Sequence, residues 1–180
     1  MITSLLLVTL AALVVGMVAP AAVAWAANAI QCPNSTEYPA FCFGTEQNDV
    51  MHGTDKVDIF RAGSGKDTLY GRGGNDELAG DLGPDTEYGG HGDVHLVSDC
   101  DSDYWCGEDE KHGGSGDDTI VGNLMSEKHF GGRGDDSLVD YKSSKRPDTF
   151  HCGPGIDVVY YNKGLDQVAQ DCEKLISSIY

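Results

Sequence analysis

An all-β solenoid with two strands to each turn is the fold class this sequence predicts. Three observations point there: a nine-residue unit recurring along the chain, a large apolar residue at one slot of that unit, and an eighteen-residue alternation laid over the nine. The unit is clearest in GGSGDDTIV (113–121), GGRGDDSLV (131–139), GRGGNDELA (71–79) and AGSGKDTLY (62–70). The same frame gives twelve units, starting at 44, 53, 62, 71, 80, 89, 104, 113, 122, 131, 143 and 152, interrupted only at 98–103 and 140–142. Slot six then holds Asp49, Asp58, Asp67, Asp76, Asp85, Asp109, Asp118, Asp136, Asp148 and Asp157, with Glu127 as a substitute and Val94 as the exception.

Each slot has a physical role. Glycine at slots one, two and four allows positive φ and close backbone approach, so slots one to six form a sharp loop with carbonyl oxygens turned inward. Slots seven to nine form a short strand, with slot eight pointing inside. Stacking such units aligns the slot-six carboxylates, which repel unless a cation lies between them. Calcium, with six to eight hard oxygen ligands in flexible geometry, suits that arrangement.

If consecutive units lie on opposite sheets, odd and even units should differ, and they do. Slot nine of the odd units reads His52, Tyr70, Tyr88, His112, Phe130 and His151; in the even units it reads Arg61, Ala79, Val97, Val121, Val139 and Tyr160. Slot eight is Phe60, Leu78, Leu96, Ile120, Leu138 and Val159 in the even units, but Met51, Leu69, Glu87, Lys111, His129 and Phe150 in the odd ones. The rings should therefore stack along one sheet, with Glu87, Lys111 and His129 as neighbours beneath them. Loop glycines also divide by parity. Even loops keep them from 71 onward (GRGGND, GGHGDV, GGSGDD, GGRGDD, CGPGID), while odd loops decay from AGSGKD and GDLGPD to GNLMSE and SSKRPD. The expectation is one nearly continuous row of calcium sites on the even edge, with odd-edge sites only in the amino-terminal half.

The candidate calcium ligands are Asp58, Asp67, Asp76 and Asp85, then Asp93 in place of the carboxylate missing at Val94. They continue with Gly113, Gly114, Gly116 and Asp118, with Gly131, Gly132, Gly134 and Asp136, and with Gly153, Gly155 and Asp157. Over residues 44–160 the unit resembles the GGxGxDxUx repeat of the RTX, or haemolysin-type calcium-binding, family. The resemblance implies a right-handed parallel β-roll binding several Ca2+ ions. RTX toxins and proteases generally lack a cleaved amino-terminal signal and are cysteine-poor. This chain has an export-like segment and six cysteines, so toxin function does not transfer.

Residues 1–26 read as that signal peptide. Ile2 to Val18 is apolar apart from Thr3, Ser4, Thr9 and Gly16, and small residues flank candidate cuts at Ala22-Val23-Ala24 and Ala24-Trp25-Ala26. No Lys or Arg precedes the apolar stretch, and a retained anchor is the alternative. Residues 27–43 should form an amino-terminal cap. All six cysteines fall beyond the signal, as expected outside the cell. Nearest-neighbour pairing (Cys32 with Cys42, Cys100 with Cys106, Cys152 with Cys172) would staple each end and one insertion, although sequence alone allows every other connectivity. Residues 161–180 should form a carboxy-terminal cap. Val158 to Tyr161 and Asp166 to Cys172 read as a hairpin or strand pair about a turn near Gly164, followed by a helical turn or frayed tail from Glu173. The insertion carries Asp99, Asp101 and Asp103 with Glu110 in EF-hand spacing, but Tyr104 stands where that loop needs glycine. It reads as an acidic bulge or an extra calcium contact.

Composition limits the functions. With 29 acidic against 12 basic residues and a net charge of -17, the chain lacks the basic face that nucleic acid requires. It contains no nucleophile elbow, HExxH, phosphate loop or dinucleotide fingerprint, and its histidines occupy repeat positions. The sequence thus predicts a secreted, monomeric, non-catalytic calcium-binding protein, extracellular or held at the cell surface, whose calcium ions drive its folding. An adhesion or matrix-interaction module with structural calcium is the alternative, and a small enzyme using the histidine column is a more distant one.

Overall fold

The computed structural model describes residues 28–34, 39–98, 106–140 and 144–178. Residues 1–26, expected to be a signal peptide, Cys100, most of the acidic insertion and the tip of the second insertion lie outside these residues. Sixteen strands occur among the described residues: β1 (Asn28–Gln31), β2 (Ala40–Thr45), β3 (Asp49–His52), β4 (Asp58–Gly63), β5 (Thr68–Gly73), β6 (Glu77–Ala79), β7 (Thr86–His91), β8 (His95–Val97), β9 (Glu110–Ser115), β10 (Thr119–Val121), β11 (Lys128–Arg133), β12 (Ser137–Val139), β13 (Thr149–His151), β14 (Val158–Asn162), β15 (Gln167–Val168) and β16 (Lys174–Ser178). Odd strands form one eight-stranded sheet and even strands the other, each in sequence order. Every pairing is parallel, so the chain is an all-β parallel solenoid of eight turns.

The twelve units of the sequence frame account for β3 to β14, and the solenoid adds a full turn at each end. At the amino end, β1 and β2 pair with β3 and β4. At the carboxy end the expected hairpin does not form. A turn closed by Asn162 and Leu165 follows β14, after which β15 joins the odd sheet and β16 the even one. Lys174–Ser178 is therefore strand, not the expected helical turn or frayed tail. The reason lies in the period: Asp166 stands eighteen residues beyond Asp148 and accepts its N–H at 3.1 Å. Glu173, sixteen residues beyond Asp157, likewise accepts that residue's N–H at 3.0 Å, its longer side chain making up the shorter step.

Slot eight makes the core. One register column runs Met51, Leu69, Glu87, Lys111, His129, Phe150; the facing one runs Phe60, Leu78, Leu96, Ile120, Leu138, Val159. All twelve side chains are fully buried. Each apolar one contributes roughly 1.5–3 kcal/mol by leaving water. The ends are closed by Cys32–Cys42 and Cys152–Cys172, both pairs packed into the core. Cys106 is also disulfide-bonded, and the candidate partner Cys100 lies outside the described residues.

Slot nine of the odd sheet stacks as its alternation requires. Ring centroids of His52, Tyr70, Tyr88, His112, Phe130 and His151 follow one another at 4.5 to 5.1 Å, with interplanar angles of 15° or less.

Candidate metal centre along the two edges

The slot-six carboxylates point into the solenoid and are tied by a repeated bond. The backbone N–H of one carboxylate donates to Oδ1 of the carboxylate one turn later: Asp49 to Asp67, Asp67 to Asp85 and Asp118 to Asp136 at 2.8 Å, and Asp58 to Asp76 at 2.9 Å. Across the insertions the same bond joins Asp85 to Asp109, Val94 to Asp118, Glu127 to Asp148 and Asp136 to Asp157, at 2.8 to 2.9 Å. Oδ1 is thereby fixed, and the fate of Oδ2 separates two classes of loop; Asp148, whose Oδ2 is open in a loop without a positive-φ turn, stands apart from both.

Slot two decides that fate. Gly63, Arg72, Asp81, Gly90, Gly114, Gly132 and Gly153 all have positive φ. In six of these loops, where slot six is Asp67, Asp76, Asp85, Asp118, Asp136 or Asp157, Oδ2 is buried without a hydrogen-bond partner. The seventh has Val94. Where slot two is Thr45, Thr54, Asn123 or, in the added turn, Asn162, its N–H instead closes onto the second carboxylate oxygen of Asp49, Asp58, Glu127 or Asp166, at 2.5 to 2.6 Å. A positive φ turns that donor away and leaves the oxygen open. Loops 71, 89, 113 and 131 combine this turn with a strand that runs on into their first three slots, on the edge whose glycine pattern is continuous. On the other edge the positive-φ loops are those at 62 and 80.

The open loops fit a cation. Slot one lies against the unpartnered oxygen and the next turn's carbonyl: a β-carbon added at Gly71 would sit 2.5 Å from both Asp76 Oδ2 and Gly89 O. The same cradle recurs at Gly113 with Asp118 and Gly131 O, and at Gly131 with Asp136 and Cys152 O. Electrostatics agree. Burial pushes the carboxyls of Asp67 and Asp136 up to about 6, those of Asp76 and Asp118 to about 7, and that of Asp85 to about 9, with neighbouring carboxylates adding to the effect. Six anionic oxygens without protein donors ask for protons or a cation.

Of the remaining candidates, Asp58 has its Oδ2 capped by Thr54, unlike the six open carboxylates, and it is Oδ1 that is buried without a partner. Asp93 is exposed, at slot five. It belongs to an outer ladder in which Asp117 N–H donates to Asp93 and Asp135 N–H to Asp117, at 3.0 and 2.8 Å, while Val94 takes the interior position. Gly113, Gly131 and Gly155 occupy their loops without positive φ, whereas Gly114, Gly116, Gly132, Gly134 and Gly153 have it.

The middle of the odd edge is built differently. The Lys111 ammonium lies 3.2 Å from Asp109 Oδ2, 3.4 Å from Glu127 Oε1 and 4.0 Å from Glu87 Oε2, and donates to Ser98 at 2.5 Å. Burial opposes its charge, but the three carboxylates outweigh that and hold it protonated beyond the usual lysine range. Sequence placed Glu87, Lys111 and His129 together but gave no sign that Asp109, Glu127 and Ser98 converge on the ammonium.

A family model described as the RTX calcium-binding nonapeptide repeat (4 copies) matches residues 43–78, 52–87 and 112–124. No curated protein and no solved structure shows significant similarity to the chain. The matched segments carry RTX-type calcium-binding nonapeptide repeats, and they lie within a parallel β-solenoid whose other loops share the same period and inward carboxylates.

Proposed function

We propose that this is a secreted, non-catalytic calcium-binding protein in which bound Ca2+ ions complete the fold. The observation that carries the reading is the set of six buried carboxylate oxygens without partners, each in a loop whose slot-two N–H is turned away. Asp76, Asp118, Asp136 and Asp157 would serve the even edge, with Asp67 and Asp85 on the odd edge; loop carbonyls and the preceding glycines supply the other oxygens. Asp58, capped by Thr54, would bind at most weakly, and Asp93 would touch an ion only from outside. Calcium would neutralise rows of carboxylates that otherwise repel, so its binding free energy becomes folding free energy. Export through residues 1–26 is consistent with the disulfide-bonded cysteines, since such bonds persist outside the cell.

Circular dichroism of the exported chain tests this. Strand signal should be lost on chelation and restored by calcium. A folded spectrum that chelator leaves unchanged would refute the coupling. A second reading, an adhesion or matrix module, is favoured by the half-exposed ring ladder. Capture of a cell-envelope partner, lost on replacing Tyr88 and Phe130, would support it.

A further inference from the structure

One buried group on the odd edge has no role in the calcium loops. His129 replaces the apolar residue expected at slot eight, between Lys111 and Phe150, with its ring 4.8 Å from that of Phe150. It is fully buried, and neither Nδ1 nor Nε2 has a hydrogen-bond partner. Nε2 lies 3.5 Å from Glu127 Oε2, and ligand atoms of Glu127, His129 and Asp148 all fall within 4.8 Å of one another. Asp148 is oriented for such a role: its Oδ1 accepts the Glu127 N–H at 2.9 Å, while its Oδ2 is buried and unpartnered. Asp140, whose Oδ1 is also unpartnered, groups with Asp148 and Asp166 within the same limit, a second carboxylate cluster that shares Asp148.

We propose that His129, Glu127 and Asp148 form an interior site for a transition-metal dication of the zinc class, distinct from the calcium loops. The donor set separates the two chemistries. Calcium takes oxygen ligands, whereas an imidazole nitrogen with two carboxylates suits zinc and its neighbours. The surrounding loop (GNLMSE) lacks the positive-φ turn of the calcium loops, and the Asn123 N–H occupies Glu127 Oε2 at 2.5 Å. Lys111 balances part of the charge on Glu127, so one dication could be accommodated without a large negative excess. The metal would also give the buried imidazole a partner. The site uses none of the six open calcium-loop carboxylates and does not depend on their occupancy.

The exported chain, disulfides intact, is stripped of transition metals, held in saturating calcium and titrated with Co2+ as a spectroscopic probe. The expected result is one equivalent bound with the visible absorption of a mixed nitrogen and oxygen site, displaced by Zn2+ but not by a large excess of calcium. His129→Leu, which installs the side chain that three of the even units carry at slot eight, should abolish this binding and keep its calcium stoichiometry; Asp118→Ala should keep the cobalt site. Far-UV circular dichroism shows whether each protein is folded, which separates loss of the roll from loss of the site. If His129→Leu does not fold, nitrogen-15 spectra of the wild-type histidine rings decide, with the His129 resonance expected to move on adding Zn2+. Absence of Co2+ binding by the folded chain, undiminished binding by folded His129→Leu, or a shift confined to other histidines would overturn the proposal.

Discussion

A single carboxylate oxygen decides what each loop can do. Asp118 and Asp148 both have a buried, open Oδ2, but Asp118 sits in a loop turned by the positive φ of Gly114, whereas the Asp148 loop has no such turn and shares its surroundings with His129 and Asp140. Replacing Asp118 with Ala should therefore lower the calcium stoichiometry, measured by isothermal titration, and replacing Asp148 with Ala should not; equal losses would refute the difference between the edges. Proton binding gives a second test. The open carboxyls of Asp67, Asp76, Asp85, Asp118 and Asp136 are raised from an ordinary 3.8 to between about 6 and about 9 when the roll is folded without calcium. In that interval the folded state keeps protons the unfolded chain has released, so calcium-free stability falls as pH rises from about 4 to about 9. Calcium needs the ionised form, so its affinity should rise over the same range. Denaturation in chelator at several pH values, with calcium titrations alongside, checks both slopes; a calcium-free roll gaining stability from pH 5 to pH 8 would contradict them.

Glycines and disulfides set how the elements stack. Gly114 has φ +120°, and a β-carbon there would collide with the carbonyl oxygen of Gly90 on the preceding turn. Gly164 in the last turn has φ +87° but open space around it. Alanine at Gly164 should cost only the backbone strain, roughly 1–2 kcal/mol, while alanine at Gly114 should cost visibly more, because two turns must separate. Thermal melts of the two variants in calcium measure the difference, and equal shifts would mean that the stacking is less close than described. Removing Cys152–Cys172, which spans 20 residues, should destabilise by about 3 kcal/mol. Hydrogen exchange should then show β15 and β16 opening first. These outer strands were the part of the fold the sequence concealed. The nonapeptide frame relies on glycine and slot-eight signals that fade after 160, and only the eighteen-residue step from Asp148 to Asp166 marks the extra turn. The ring ladder and the two core columns were legible because their spacing survives both insertions. The Lys111 cluster was not, since Ser98 reaches it from the insertion, Asp109 from its own unit and Glu127 from the next odd unit.

At the scale of the whole molecule, charge and cooperativity are the same problem. A net charge of -17 belongs to the ion-free chain, and about six calcium ions, one for each open carboxylate, would leave about -5. Each ion would lie between successive turns on one edge, so occupying one gap orders the loop that forms half of the next. In a solenoid whose turns contact only their neighbours, that coupling passes along the row. Folding by calcium should therefore be cooperative, with a Hill coefficient above one by circular dichroism. The chain should tolerate the gap at Val94 only at the expense of that cooperativity. Val94→Asp would add a carboxylate to the single positive-φ loop that lacks one, between Asp76 and Asp118. It should raise the calcium stoichiometry and steepen the transition, moving its midpoint to lower calcium. A broader transition, or an unchanged ion count, would show that the row is not continuous through this turn and that the edge folds as two independent halves.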